Sequence, residues 1–234
     1  MEDLGSDGSV VSRRHVLQKM ASGVVLGMAA HLGSELVYPP VSCAKNGLNP
    51  DEAMQELRAG NQRSVANQLT SIQHDLAILR EHTVDKQEPF AGILACADSR
   101  VPVELVLDQT IGRLFVTRVA GNMVTPEVMA GLEYGVAVLG IKALLVLGHS
   151  GCGAVKAAMK ATAVPGQISA LYQHLQPGVA RSVGNIDAAI EANARIQAEL
   201  LRTSSPVLRE AIKAGTLRVD AAVYDLATGK VSMR

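Results

Sequence analysis

The chain has 234 residues, with 22 Lys and Arg against 22 Asp and Glu, so its formal net charge is zero and a basic surface for nucleic acid is not expected. Hydrophobic residues make up 48% and charged residues 19%, which is typical of a packed globular domain rather than a disordered chain. The chain has no Trp, two Phe and four Tyr, which excludes an aromatic stacking platform or a Trp-lined sugar cleft. Its three Cys favour a metal site or a reactive thiol over a disulfide scaffold.

Residues 1–44 are predicted to be an export signal that is processed away from a domain covering residues 45–234. Two consecutive arginines, Arg13 and Arg14, precede a weakly apolar run over residues 20–32. That run is shorter than the roughly 20 apolar residues that a membrane-spanning helix needs. The arrangement resembles a twin-arginine signal, which predicts a periplasmic or other extracytoplasmic protein that uses the twin-arginine export machinery. The alternative is a basic N-terminus that precedes an ordinary helix.

Two kinds of processing fit the end of this segment. Small residues at positions 42–44 suit cleavage by a signal peptidase after Ala44. The same stretch weakly resembles a lipobox, which would leave Cys43 as a lipidated N-terminus and a membrane anchor. Because Pro40 occupies a position where a lipobox prefers Leu, plain cleavage is favoured.

The remaining sequence alternates between helical and short apolar segments. Predicted helices begin at Pro50, cover residues 71–82, run from Pro126 to near Gly140, and cover residues 186–202. Predicted strands cover residues 91–96, 114–117, 143–147 and 219–224. The first helix has the clearest start, with Asn49 as its cap, a proline at the first position and two acids behind it. This alternation predicts an α/β domain whose mostly parallel β-sheet is flanked by helices on both faces.

Two of the predicted strands are followed by residues that can carry chemistry. The strand over residues 91–96 leads into the sequence CADSR at residues 96–100, and the strand over residues 143–147 leads into HSGC at residues 149–152. Because ligands of parallel sheets bind beyond the carboxyl ends of the strands, we expect both groups at the same edge of the sheet. Two thiolates and one imidazole suit tetrahedral zinc, and three protein ligands leave a fourth position open, as in catalytic zinc sites.

Other interpretations use the same residues. A buried Cys at a strand end is often a small core residue, and a His after a strand often only forms hydrogen bonds. His149 and Cys152 are three positions apart, so they are also candidates for a nucleophilic pair. The sequence GHSGC at residues 148–152 partly matches the G-x-S-x-G nucleophile elbow, with Cys in place of the last Gly. A hydrolase that uses Ser150 or Cys152 leaves Cys96 and the charged residues behind it without a role.

The segments CADSRVP at residues 96–102 and HSGCG at residues 149–153 together resemble the signature of the β-class carbonic anhydrases. Three further segments resemble this family: LRAGNQR at residues 57–63, RVAGN at residues 118–122 and AVYDL at residues 222–226. Val119 stands where the family commonly has Asn, and Arg113 stands where an acidic residue is frequent. Neither departure touches the candidate metal ligands, so both bear on local hydrogen bonding rather than on the chemistry.

This resemblance implies a zinc enzyme. It implies that Cys96, His149 and Cys152 bind Zn²⁺, and that a zinc-bound hydroxide attacks carbon dioxide to give bicarbonate and a proton. It also implies an ion-paired catalytic dyad, in which Asp98 accepts a hydrogen bond from the zinc-bound water and Arg100 keeps Asp98 ionised and oriented. A structural salt bridge at the strand end is the alternative for this pair.

The resemblance further implies a substrate pocket of the plant-like type. Gln87 would contact the substrate through its amide, while Phe115, Tyr134 and the backbone at Gly153 would line a narrow apolar pocket suited to carbon dioxide. Phe115 and Tyr134 are also compatible with ordinary core positions. The family implies a homodimer or a higher homo-oligomer, with pocket residues shared across the interface.

Three alternatives concern the state and the reaction of this site. In some β-class members the residue matching Asp98 swings onto zinc and closes the site; those members often carry a Trp that this chain lacks, which favours the open form. A related zinc hydrolase of carbon disulfide or carbonyl sulfide would keep the same ligands and differ in its access tunnel. A non-catalytic zinc protein usually loses a ligand or a dyad residue, whereas all five are present here.

Overall fold

A computed structural model of the chain describes residues 47–73 and 83–234. The strands in this part are β1 (Ala91–Ala95), β2 (Leu114–Arg118), β3 (Ala143–His149), β4 (Arg218–Tyr224) and β5 (Val231–Met233). The helices are α1 (Pro50–Val65), α2 (Val103–Val106), α3 (Pro126–Ala137), α4 (Gly153–Lys160), α5 (Tyr172–Ala180), α6 (Ile186–Ser204) and α7 (Pro206–Lys213). Short 3₁₀ segments lie at Ser71–Gln73 and Ile168–Leu171. None of the helices within these ranges is long and apolar enough to cross a membrane.

The described strands form one sheet in the order β2-β1-β3-β4-β5. β1 pairs in parallel with β2 and β3, β3 pairs in parallel with β4, and only β5 runs antiparallel to its neighbour. Every residue of β1 and β3 is buried. Helices on both faces explain this burial, because a parallel sheet covered on two sides has no solvated face. The predicted α/β fold with a mostly parallel sheet is confirmed.

Side chains of β3 alternate between two hydrophobic cores. Leu145 and Leu147 face the core that contains α1 and α2, whereas Leu144 and Val146 face the core that contains α3, α6 and α7. This period of two is the geometry of an extended strand. The pairing of Ala95 with Leu147 sets the register, so the residues that follow β1 come out beside the end of β3.

The element predictions hold for the four parallel strands and for α1, α3 and α6, and they omit the remaining helices and β5. The predicted strands match β1 to β4 within two residues at each end, and α6 covers the predicted long helix. The helix beginning at Pro126 ends at Ala137 rather than near Gly140. Most of the helix predicted over residues 71–82, and the whole segment 1–44, lie outside the described residues. The sequence did not predict α2, α4, α5, α7 or β5.

The start of α1 has the predicted cap. Asn49 Oδ1 accepts hydrogen bonds from the backbone N–H groups of Asp51 (3.0 Å) and Glu52 (2.9 Å), and the Glu52 carboxylate accepts one from the Asn49 N–H (2.8 Å). This reciprocal capping box satisfies donors that the first turn of a helix leaves free.

Asp108 fastens α1 and the residues after it to the loop that follows α2. Its carboxylate, which is buried, accepts hydrogen bonds from the Arg63 guanidinium, from the Thr70 N–H (2.8 Å) and hydroxyl (2.8 Å), and from the Ser71 N–H (2.9 Å). Burial alone would raise the pKa of Asp108, but these hydrogen bonds outweigh it and hold the pKa well below its usual range.

Replacing Asp108 by Asn is expected to reduce stability at neutral pH by about 2 kcal/mol, because the charged acceptor for several donors is lost. Since the folded pKa of Asp108 lies below the unfolded one, its contribution is present above about pH 4 and disappears as the pH falls further. Urea unfolding at pH 7 and at pH 3.5 should therefore show a larger difference between wild type and Asp108→Asn at pH 7. An equal difference at both values would show that the Asp108 charge contributes nothing.

Val183 adopts a backbone conformation that disfavours β-branched side chains. It lies between α5 and α6 with a φ of 48°, and its side chain is 97% exposed. We expect Val183→Asn to raise the free energy of unfolding by about 1 kcal/mol, because Asn tolerates this left-handed region and no packing is lost. Val84 is the control, since it is 79% exposed and lies outside the positive φ region. Equal effects of the two substitutions in urea unfolding would refute the backbone explanation.

Candidate metal centre

Cys96, His149 and Cys152 come together at the carboxyl edge of the sheet, as predicted. Cys96 directly follows β1, His149 is the last residue of β3, and Cys152 precedes α4. Their ligand atoms all lie within 4.8 Å of one another, and the two sulfurs are 3.9 Å apart. The three residues are 4%, 0% and 1% exposed. Three potential ligands are thus gathered in a buried cluster.

A tight turn after β3 brings Cys152 back toward His149. Gly151 has a φ of 67°, a conformation that glycine adopts without steric cost, and it allows the chain to reverse before α4 begins. Ser150 fixes this turn to the end of β4: its N–H donates to the Tyr224 carbonyl (2.8 Å), and its hydroxyl accepts from the Leu226 N–H (2.9 Å). These contacts give Ser150 a structural role.

The ring of His149 is oriented with one nitrogen toward the two sulfurs. Nδ1 lies 3.0 Å from the Ser150 carbonyl oxygen, which can only accept, so Nδ1 carries the proton and Nε2 keeps a lone pair. Nε2 is buried and has no hydrogen-bond partner in the described part of the chain. The Nε2 lone pair is buried and accepts no hydrogen bond, and it lies beside two thiols. These three groups are a ligand set that a zinc ion would satisfy.

The two thiols depend strongly on each other. A hydrogen bond between Cys152 and Cys96 lowers the pKa of Cys96 despite its burial, and His149 and the Gly121 N–H also lower it. The same hydrogen bond, together with burial, raises the pKa of Cys152. Ionisation of one thiol therefore disfavours ionisation of the other, because two adjacent negative charges repel each other.

Asp98 and Arg100 form a bidentate ion pair beside the cluster. Arg100 Nε donates to Asp98 Oδ1 (2.9 Å) and Nη2 donates to Oδ2 (2.8 Å), while the Arg100 N–H also donates to Oδ1 (3.0 Å). These bonds to Arg100 hold the pKa of Asp98 well below its usual range. Asp98 Oδ2 lies 3.8 Å from His149 Nε2, so an ionised carboxylate stands next to the position where a metal would bind.

Arg118 anchors the loop that carries both groups. At the end of β2, it donates through Nε to the Cys96 carbonyl (3.0 Å) and through Nη2 to the Asp98 carbonyl. The sequence showed Arg118 only as the start of a family-like segment and indicated no function for it. The sequence did contain one signal for this contact: Arg118 lies at the end of β2, and β2 ends beside β1.

The four predicted substrate-binding residues are spread over the molecule. Gly153, the first residue of α4, is exposed directly beside Cys152. Gln87 is exposed and precedes β1, at the opposite end of that strand from Cys96. Phe115 pairs with Gly92 in the register of β1 and β2, which places it about 13 Å from Cys96 along the sheet.

Phe115 and Tyr134 form an aromatic pair near the outer edge of the sheet. Their ring centroids are 6.3 Å apart, and Tyr134 on α3 is 48% exposed. Tyr134 therefore does not lie in the core of a single chain, whereas Phe115 is partly buried against the core that contains α3, α6 and α7. Within one chain, only Gly153 of the four predicted pocket residues lies beside the Cys-His-Cys cluster.

Comparisons with known proteins agree on one family. The family model described as "Carbonic anhydrase" matches residues 91–231. Carbonic anhydrase 2 of Mycobacterium tuberculosis is 32% identical over 198 residues, which cover 80% of this chain and 93% of that protein. The carbonic anhydrase of Pseudomonas aeruginosa is 36% identical over 163 residues, which cover 62% of this chain and 73% of that protein.

Solved structures show the same fold. The β-carbonic anhydrase CcaA matches with a TM-score of 0.62 and 27% identity, over 77% of this chain and 86% of that one. The Coccomyxa β-carbonic anhydrase in complex with acetazolamide matches with a TM-score of 0.61 and 28% identity, over 74% of this chain and 82% of that one. Both matches show that the described α/β fold is that of the β-carbonic anhydrases.

Proposed function

Because this chain belongs to the β-class carbonic anhydrase family, which catalyses the reversible hydration of carbon dioxide, we propose that Cys96, His149 and Cys152 hold its catalytic zinc. The observation that carries this proposal is the buried His149 Nε2, which has no hydrogen-bond partner in the described part of the chain and lies in a 4.8 Å cluster with two sulfurs. Two thiolates and one neutral imidazole make up a zinc donor set with a fourth position left open.

Bound there, zinc would lower the pKa of a coordinated water toward neutrality and so supply a nucleophile for carbon dioxide. Asp98 would accept a hydrogen bond from that water and orient it toward the carbon of the substrate. Arg100 donates two hydrogen bonds to Asp98 Oδ1 and one to Oδ2, which keeps Asp98 ionised and leaves a lone pair of Oδ2 available. The Gly153 N–H, at the start of α4, is available to stabilise the developing bicarbonate.

The open form of the site is part of this proposal. Both carboxylate oxygens of Asp98 are bound to Arg100, which supports a fourth metal position that Asp98 does not occupy. We expect hydration activity to rise with pH along a single smooth titration, because Asp98 stays ionised and paired throughout that range. Stopped-flow rates between pH 6 and 9 check this. A steep, bicarbonate-sensitive collapse near neutrality that Asp98→Ala removes would indicate the closed form instead.

A homodimer or a higher homo-oligomer would complete the substrate pocket. Phe115 and Tyr134 lie on and beside β2, which is an edge strand of the sheet, and Tyr134 is half exposed. A half-exposed tyrosine at an unpaired edge suits an interface, where Tyr134 and the partly buried Phe115 would reach the metal centre of a second copy together with Gln87. If so, mixing Cys152→Ala protein with Tyr134→Ala protein should restore activity at one site of each mixed dimer. Inactive mixtures of subunits shown to exchange would contradict the shared pocket.

The catalytic domain is assigned to residues 45–234, and residues 1–44 to a twin-arginine signal that directs it to the periplasm. The paired Arg13 and Arg14 support this assignment. Export of a folded chain allows the thiolates to be loaded with zinc in the reducing cytoplasm before they meet oxidants. Lipid anchoring through Cys43 is the alternative to cleavage after Ala44.

A reporter fused to residues 1–44 tests the export assignment. The wild-type segment should carry a folded reporter out of the cytoplasm, and replacing Arg13 and Arg14 together by Lys should keep the reporter inside. Export that persists in cells lacking the twin-arginine machinery would contradict the assignment. Mass spectrometry of the exported chain distinguishes a free N-terminus at residue 45 from a lipidated Cys43.

Zinc-edge X-ray absorption tests the ligand set directly. The zinc-loaded protein should show two sulfur, one imidazole nitrogen and one further oxygen ligand in the first shell. A first shell without sulfur would refute Cys96 and Cys152 as ligands. A first shell with one sulfur would refute one of the two.

A further inference from the structure

A chain of buried hydrogen bonds runs from the long helix α6 to the Cys96 sulfur. Asn193 Nδ2 donates to the Gly121 carbonyl (2.9 Å), and the Gly121 N–H donates to Cys96 Sγ (3.3 Å). Asn193 is 1% exposed. Within the described part of the chain it makes no hydrogen bond to any of the three candidate ligands, so the proposed function gives it no role.

The backbone orientation of Gly121 depends on its neighbours. It has a φ of 80° in a turn closed by a hydrogen bond from the Asn122 N–H to the Val119 carbonyl (2.9 Å). The positive φ favours glycine, and a Cβ at this position would lie 2.9 Å from Leu175 Cδ2, so a larger residue would also displace the Leu175 side chain. Since glycine has the widest backbone freedom, the direction of its N–H has to be set by its neighbours.

Asn193 is itself held in one orientation. Gln197 Nε2 donates to Asn193 Oδ1 (3.1 Å) and to the His174 carbonyl (3.2 Å), while Gln197 Oε1 accepts from the Val124 N–H (2.8 Å). With Oδ1 occupied as an acceptor, the amide of Asn193 presents its donor to the turn. A Cβ at Gly178 would lie 3.0 Å from the Asn193 backbone, so α5 and α6 are in close contact at this point.

We propose that Asn193 is a positioning residue for the Cys96 ligand: it holds Gly121 so that the Gly121 N–H stays directed at the Cys96 sulfur. This inference rests on the proposed zinc function of that sulfur. A hydrogen bond to a metal-bound thiolate orients the sulfur and withdraws charge from it, which tunes both metal affinity and the electrophilicity of the metal. Asn193 thereby acts on the metal centre through the backbone of Gly121.

Asn61 is a matched control for Asn193. It is also a buried Asn on a helix, at 6% exposure, and its Nδ2 donates to the carbonyls of Val106 (3.0 Å) and Gly229 (2.9 Å). Its Oδ1 accepts from the Val231 N–H (2.9 Å). Because α1 lies on the face of the sheet opposite α6, a change at Asn61 should affect stability without reaching the metal centre.

The hydrogen bond from Gly121 can be observed in the wild-type protein. With ¹¹³Cd in place of zinc, a scalar coupling between cadmium and the Gly121 amide proton is expected, transmitted through the Cys96 sulfur. Couplings from cadmium to the Cys96 side chain without one to Gly121 would overturn the inference. Failure of the full chain to bind cadmium or zinc at all would instead overturn the proposed function.

The role of Asn193 is tested with Asn193→Asp and Asn61→Asp, each loaded with cobalt and with zinc. For Asn193→Asp we expect the sulfur-to-cobalt charge-transfer band to move to longer wavelength, and zinc affinity in chelator competition to fall about 10-fold. Asn61→Asp should leave the charge-transfer band in place and change zinc affinity by less than twofold, while it loses comparable stability. Identical spectra and affinities for the two variants would overturn the inference. Asn193→Ser, whose shorter side chain withdraws the amide donor without adding a charge, is measured in parallel and should show the same two changes. If neither variant folds, the cadmium coupling in the wild type still tests the hydrogen bond on which the inference depends.

Discussion

Cys152→Ala is expected to lose bound zinc and to lower the rate of carbon dioxide hydration by at least about 1,000-fold, because the metal supplies the nucleophile. The variant should also unfold more readily than the zinc-loaded wild type, since metal binding and folding are linked. Zinc content by plasma mass spectrometry, stopped-flow hydration and thermal unfolding measure the three effects on the same sample.

Ser150→Ala is the control for this substitution. Ser150 lies two residues from Cys152, and its hydroxyl accepts a hydrogen bond from the Leu226 N–H, so it is part of the turn and not of the ligand set. We expect this variant to keep stoichiometric zinc. Stoichiometric zinc in Cys152→Ala would remove Cys152 from the ligand set. Loss of activity in Ser150→Ala with zinc in place would revive the nucleophilic serine alternative.

Asp98→Ala is expected to keep zinc but to lower kcat/KM by about 100-fold or more, because the acceptor that orients the nucleophile is gone. Arg100→Lys should have a smaller effect. Lysine keeps the positive charge, but it cannot reproduce the two parallel hydrogen bonds at 2.8 Å and 2.9 Å that hold both carboxylate oxygens.

Zinc content separates a catalytic dyad from a structural one. If Asp98→Ala hydrates carbon dioxide at the wild-type rate with saturating buffer, the Asp98–Arg100 pair is only a salt bridge at the strand end. If the variant loses zinc together with activity, Asp98 supports the metal site itself. Only retained zinc with lost activity agrees with the role proposed for Asp98.

The sheet and the metal cluster could be predicted from sequence because their signals are local. Each apolar strand is a continuous run of the sequence. Cys96 directly follows one such run and His149 ends another, so parallel pairing alone places the two residues together. Helices α4 and α7 have eight residues each, and β5 has three, which is too short for a periodic pattern to be distinctive.

The contacts that surround the cluster leave no such local signal. Asn193 and Gly121 are 72 residues apart, and Arg118 reaches the Cys96 carbonyl from another strand, so only the folded chain shows either contact. Gln87, Phe115 and Tyr134 were predicted from family resemblance rather than from spacing. Their distance from Cys96 within one chain shows why the sequence alone could not assemble the pocket.

Stopped-flow hydration of carbon dioxide by the full, zinc-loaded chain is the most direct test of the proposed zinc-dependent catalysis. We expect rapid hydration that disappears when a chelator removes zinc and returns when one equivalent of zinc per chain is restored. Hydration at the uncatalysed rate by protein whose zinc is bound by two sulfurs and one imidazole would contradict it.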